Sequence, residues 1–199
     1  MSQGFRKVIA LFSLMLCPTL GFAQDSEPNK RALISDFNGE EAVGVFHIYE
    51  ANPLNMEQGV RVELVDEDAL GKPGGKALKI DYDVDSWQRS QIVIWFTLAE
   101  KDFSSYDTLH LSLKGQGPGG FRGNLPVRFV DSGNRAAPYV LSGIKGDWKH
   151  FQIPLKRFPR IGDWSSVKEF EIVIDDMNAI PKVGTLLVDE IYVSKDKSR

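Results

Sequence analysis

The sequence predicts an all-β domain made of two antiparallel layers. Three observations carry that reading. Short apolar or alternating runs recur from residue 32 to residue 193, with breaks rich in Gly, Pro, Asn and Asp between them. No stretch holds a 3.6-residue apolar period long enough for a helix of several turns. One run, "TLHLSLK", alternates strictly, with Leu109, Leu111 and Leu113 on one face and His110, Ser112 and Lys114 on the other. Many short strands at near-regular spacing point to a sandwich or barrel.

The elements follow in order. Strands are expected near Ala32–Phe37 and Val43–Tyr49, on either side of the polar "NGEE". Val60–Leu64 and Ala77–Tyr82 flank "GKPGGK", whose glycines and proline suit a turn. Ser90–Thr97 contains "QIVIWF", which is apolar on both faces, with Gln91, Val93 and Trp95 opposite Ile92, Ile94 and Phe96. Such a strand is either covered on both sides or presents an apolar outer surface, and the second option matters for ligand binding. Thr108–Lys114 is the alternating strand, and "GQGPGGFRGN" leads from it into Leu125–Val130. "DSGN" precedes Pro138–Leu141, "GIKGD" precedes Lys149–Ile153, and the last strands lie near Glu169–Ile174 and Thr185–Val193. Single helical turns fit only Val65–Leu70 and Pro154–Phe158.

Residues 1–23 read as a secretory signal peptide. Arg6 and Lys7 precede the apolar "VIALFSLMLCPTLGFA", with Gly21 and Ala23 at the cleavage positions. The run is short for a membrane span and is interrupted by Pro18. Residues 24–31 form a polar leader, 32–195 the domain and 196–199 a tail. The expected location is periplasmic or secreted, with no membrane span after cleavage. The single cysteine, Cys17, leaves with the signal, so the remainder has no disulfide and no thiolate ligand. The net charge of −3 becomes more negative without Arg6 and Lys7, which argues against nucleic acid as a partner.

Catalytic patterns are weak. There is no Gly-x-Ser-x-Gly, and His47, His110 and His150 are scattered along the chain. Asp175 and Asp176 are adjacent on a strand and point to opposite faces; Asp81, Asp83 and Asp85 share one face, the usual pattern of a solvated surface. Aromatic residues are more informative. Sugar rings stack their C–H faces on aromatic rings while Asp, Arg, Asn and Gln bind the hydroxyls. Trp148 and Trp164 are expected in the core, whereas Trp87 and Trp95 are open to either role. From this chemistry the candidate ligand-binding residues are Trp87, Arg89, Arg128 and Tyr139, with Asp131 and Asp176 behind them.

Four segments in order, "ISDFNGEE", "DFSSYDTLHLSLKG", "GDWKHFQIPLKRF" and "SSVKEFEIVID…VGTLLVDEIYVS", resemble the galactose-binding-like β-jelly rolls. The resemblance is closest to family 11 carbohydrate-binding modules, and extends to the domain of complex I intermediate-associated protein 30. It spans nearly all of Leu33 to Ser194. It implies a two-sheet antiparallel jelly-roll sandwich that binds a polysaccharide or oligosaccharide on an aromatic-lined concave face, without catalysis. It also implies a structural Ca2+ between the first and last strands, held by Asp189 with Asn38 and Asp36. Asp189 is expected on one strand face with Leu187, Ile191 and Val193, where a bare carboxylate is costly; a hydrogen bond or a lysine would serve as well as calcium. Two other functions stay open: a periplasmic protein-binding or assembly-factor domain, and a small glycan-cleaving enzyme, which requires two carboxyls facing each other across a cleft.

Overall fold

The computed structural model describes residues 30–38, 45–50, 59–67, 74–86, 89–117 and 119–195. The expected signal peptide and tail, most of the leader and the turn proposed near Val65–Leu70 lie wholly or partly outside these residues. Among the described residues there are eleven strands: β1 (Arg31–Ser35), β2 (Val45–Glu50), β3 (Gly59–Val65), β4 (Ala77–Asp83), β5 (Gln91–Lys101), β6 (Thr108–Gln116), β7 (Leu125–Asp131), β8 (Ala136–Leu141), β9 (Lys149–Pro154), β10 (Val167–Asp175) and β11 (Val183–Ser194). A single 3₁₀ turn, Leu155–Arg157, stands where a helical turn was expected. Arg31, placed in the leader by the sequence reading, pairs with Ser194 at the start of β1.

The strands form two sheets. One runs β3-β4-β11-β6-β9 with β1 also beside β11, and the other runs β2-β5-β10-β7-β8. All the pairings are antiparallel. The chain moves repeatedly from one sheet to the other, which is the jelly-roll arrangement. Tyr192 pairs with His110 of β6 and with Leu33 of β1, while Val188 pairs with Leu113 of β6 and with Leu78 of β4. The edge of β11 opposite β6 is therefore shared, with β4 along one half and β1 along the other.

Alternation builds the core. Leu109, Leu111 and Leu113 of β6 and Leu186, Val188, Ile191 and Val193 of β11 meet Ile92, Ile94 and Phe96 of β5 and Phe170, Ile172 and Ile174 of β10. Full burial of each such side chain contributes about 1.5–3 kcal/mol. Phe129 sits at the aromatic centre, with ring centroids 5.1 Å from Phe158 and Phe170 and 5.2 Å from Trp164. Trp164 packs against this core as expected, but Trp148 does not join it; its ring lies 5.9 Å from the Lys114 ammonium, at the half-exposed end of the β6–β9 pair.

A bulge changes the expected reading of β11. The register shifts between Asp189 and Tyr192, and Glu190 has φ of 52°. Before the bulge the core face carries Leu186 and Val188; after it, Ile191 and Val193. Asp189 pairs with Ser112, on the outer face of the six-stranded sheet. It is thus separated from Ile191 and Val193, contrary to the simple alternation expected from sequence. It remains fully buried, and its Oδ1 accepts a hydrogen bond from the Glu190 N–H at 2.7 Å.

Candidate functional site

The outer face of the five-stranded sheet carries the most favourable group of side chains. On β5 the residues between the core positions are Gln91, Val93 and Trp95; on β10 they are Glu169, Glu171 and Val173; on β7 the central one is Arg128. Register sets them side by side. Glu171 pairs with Trp95 on one flank and with Arg128 on the other, and Val173 pairs with Val93. Two strand spacings place the Trp95–Glu171–Arg128 rung across about 10 Å. Gln91, Val93, Trp95, Arg128, Glu169 and Glu171 line a depression of about 340 Å³.

Its electrostatics are governed by one ion pair. Arg128 Nε donates to Glu171 Oε2. Burial pushes the Glu171 carboxyl above its ordinary range; the Arg128 guanidinium pulls it back, and the neighbouring Glu169 pushes it further up. The result is a polar strip of fixed donors and acceptors beside a half-exposed indole. Val93 and Val173 are buried yet lie outside the core cluster, so they give the strip an apolar floor.

The residues expected from sequence are only partly brought together. Arg128 is in the depression. Trp87 lies outside the described residues. Arg89 is exposed just before β5. Asp176 follows β10 and closes the β5–β10 ladder, its N–H donating to Ser90 O at 3.0 Å and its Oδ1 accepting from Ser90 N–H at 3.3 Å. Asp131 faces the opposite side of β7 from Arg128. It is fully buried and accepts hydrogen bonds from Arg135 N–H at 2.9 Å and Arg135 Nε at 2.8 Å. Burial raises the Asp131 carboxyl, but the Arg135 bonds and charge and the Gly162 N–H more than offset this and hold it below its usual range. Tyr139 also faces inward, its ring 5.8 Å from Phe158. Asp131 and Tyr139 therefore hold a turn and the core, and neither lines the depression.

Sequence reasoning left Trp95 undecided and missed Glu169 and Glu171. The signal was present in "QIVIWF": a strand apolar on both faces gives one face to the core and displays the other. The histidines are also less scattered than the sequence implies. His110 Nδ1 and His150 Nε2 are 3.1 Å apart, and their outer nitrogens meet Ser194 Oγ at 2.8 Å and Ser112 Oγ at 3.1 Å. The side chain of His47 lies outside the described residues.

Of the expected calcium ligands, Asp36 Oδ1 accepts from Asn38 N–H at 3.1 Å, and Asn38 Oδ1 accepts from Lys76 N–H. Asp189 is close in sequence to Ile191, the partner of Ser35 at the end of β1. The three are oxygen donors of the kind calcium takes. Among the described residues, no group of three acidic, histidine or cysteine side chains converges on one point.

The sequence matches the family model of carbohydrate binding domain 30 over residues 37–195. The chain belongs to that family. Carbohydrate binding domain 30 thus covers every strand from β2 to β11 and the whole depression. No curated protein matches the chain. Among solved structures, a family 11 carbohydrate-binding module from Clostridium thermocellum, in complex with a β-1,3-1,4-mixed-linked tetrasaccharide, is similar with a TM-score of 0.63 at 14% identity, over 85% of this chain and 98% of that one. The family 11 module of a cellulosomal cellulase from the same organism gives a TM-score of 0.59 at 14% identity, over 82% and 94% of the two chains. Part of an exo-β-agarase gives 0.58 at 11% identity, over 84% of this chain and 26% of the enzyme's. At these identities the likeness shows the jelly-roll fold that this carbohydrate binding domain 30 chain shares with family 11 modules.

Proposed function

We propose that this domain binds a β-glucan chain on the outer face of the five-stranded sheet, without catalysis. The observation that carries the reading is the rung Trp95–Glu171–Arg128: a half-exposed indole beside a fixed polar pair, over the Val93–Val173 floor. The indole stacks on a sugar ring, and the ion pair, Gln91 and Glu169 bind hydroxyls. The family and the mixed-linked ligand of the similar module support this ligand class. Glu169 and Glu171 sit two residues apart on one strand, an arrangement unlike the facing carboxyls of glycoside hydrolysis. Migration through native gels containing mixed-linked β-1,3-1,4-glucan, cellulose derivatives or xylan tests the reading. Retardation by the mixed-linked glucan is expected; unchanged migration in every gel contradicts it.

The reading extends to export through the signal in residues 1–23, which places the protein in the periplasm or outside the cell. It extends also to a structural Ca2+ near Asp189, Asn38 and Asp36, tested by a thermal-melt shift between calcium and a chelator. A second reading, a protein-binding or assembly role, draws on Met177, Ile180 and Val183, which are 71%, 52% and 54% exposed on the β10–β11 connection and at the start of β11.

A further inference from the structure

A second concave site lies away from the sheet face, where β6 begins and β9 ends. Ser104, Tyr106, Asp107, Thr108, Pro154, Leu155, Lys156 and Trp164 line a pocket of about 490 Å³, and none of these residues lines the depression beside Trp95. The volume falls in the range of small-molecule sites, about 300–1,000 Å³. The pocket closes the last rung of the β6–β9 ladder, where Thr108 pairs with Pro154.

Its aromatic walls are held by one buried residue. Phe103 is 1% exposed; its N–H donates to Trp164 O at 2.7 Å, and its O accepts from Tyr106 N–H at 3.0 Å. The Tyr106 ring packs edge-on against Phe103 at 6.0 Å, and the Trp164 ring packs edge-on against Phe129 at 5.2 Å. Leu155 N–H donates to Asp107 O at 2.7 Å and ties the 3₁₀ turn to the same loop. These walls belong to two separate connections, yet the hydrogen bonds and the ring contacts set them in place together.

Among the described residues, the Tyr106 hydroxyl, the Trp164 indole N–H and the Lys156 ammonium make no side-chain hydrogen bond or ion pair. At partly exposed positions Tyr and Trp offer a ligand an apolar ring and a polar tip together. Asp107 adds a carboxylate that accepts from Thr108 Oγ at 3.0 Å. Charge around the pocket is balanced. Lys156 lines it and Lys30 lies 5.2 Å over the Tyr106 ring, against Asp107 and Asp102.

We infer that this pocket is a second saccharide site, which takes a single neutral pyranose or the end of a short oligosaccharide. Ring faces of Tyr106 and Trp164 meet the C–H face of the sugar. The indole N–H and Lys156 donate to its hydroxyl oxygens. The balanced charge selects a neutral sugar over an anionic one. A chain with both sites can hold two saccharide segments at once, which raises avidity without any new contact at either site.

The test uses the Trp95→Ala variant of the full chain, which removes the stacking ring of the sheet site. Its NMR spectra are recorded during titration with glucose, galactose, mannose, xylose and cellobiose. The inference predicts that at least one sugar moves the Trp164 indole N–H resonance and the amides of 104–108 and 155–156 saturably. Adding Lys156→Met weakens that binding about tenfold, the loss expected for one charged hydrogen bond, and Tyr106→Ala weakens it by at least as much. Lys156 is exposed, so its variant keeps the fold even where Tyr106→Ala does not. Still resonances with every sugar overturn the inference, as does movement that both variants leave intact. Because Trp95 is absent from this protein, failure here leaves the sheet-face reading standing, and failure of that reading leaves this one.

Discussion

Arg128 of β7 and Glu171 of β10 are register partners and an ion pair on the outer face of the five-stranded sheet. Glu171 is the more buried of the two, so the arginine keeps a largely buried carboxylate paired at the edge of the depression. Replacing Arg128 with Met leaves that carboxylate without its cation. A loss of about 1–3 kcal/mol in urea unfolding is expected, together with weaker glycan binding. Unchanged stability and binding together would show that the pair is incidental.

Glu171 also sets a pH dependence. Its folded value lies above the ordinary 4.5, chiefly through burial. Just above 4.5 the unfolded chain has released this proton while the folded one still holds it, so its contribution to stability falls as pH rises through the raised folded value. Glu171→Gln removes that slope. Urea midpoints measured for both proteins from mildly acidic to neutral pH should converge at the acidic end and separate as pH rises, with the variant relatively more stable.

Asp131 has the opposite sign. Its folded value is held below 3.8 by Arg135 and the Gly162 N–H despite burial. Its stabilisation is complete above the unfolded value and is lost as pH falls through the folded one. Asp131→Asn should cost about 1–3 kcal/mol at neutral pH and leave glycan affinity unchanged. A changed affinity with intact stability would return Asp131 to the ligand site.

Phe129 joins Phe103, Phe158, Phe170 and Trp164. Phe129→Ala opens a cavity at that junction and should destabilise by about 3–5 kcal/mol. Calorimetric melting checks this, and a loss below about 1 kcal/mol would mean the core refills the space.

Much of the fold was legible because strand alternation is local. Leu109, Leu111 and Leu113 are fully buried, as "TLHLSLK" predicts. The bulge in β11 was not legible: Glu190 takes a positive φ without the Gly or Asn that would announce it, and every residue after it changes face. The site was harder still. Arg128 and Asp131 lie three residues apart on β7 and so face opposite ways, which strand alternation makes legible. That Asp131 is engaged by Arg135 depends on how the β7–β8 turn closes. Trp95 needed the sheet itself, since a two-faced apolar strand does not say which side is covered.

Titration calorimetry of the wild-type protein and Trp95→Ala with soluble mixed-linked β-1,3-1,4-glucan tests the glycan-binding sheet face most directly. Both proteins are first shown to fold alike by circular dichroism. The account predicts binding by the wild type and a loss of about tenfold or more in the variant, the scale of one ring's stacking contribution. Equal affinity in the two proteins, or no heat from either, would contradict it.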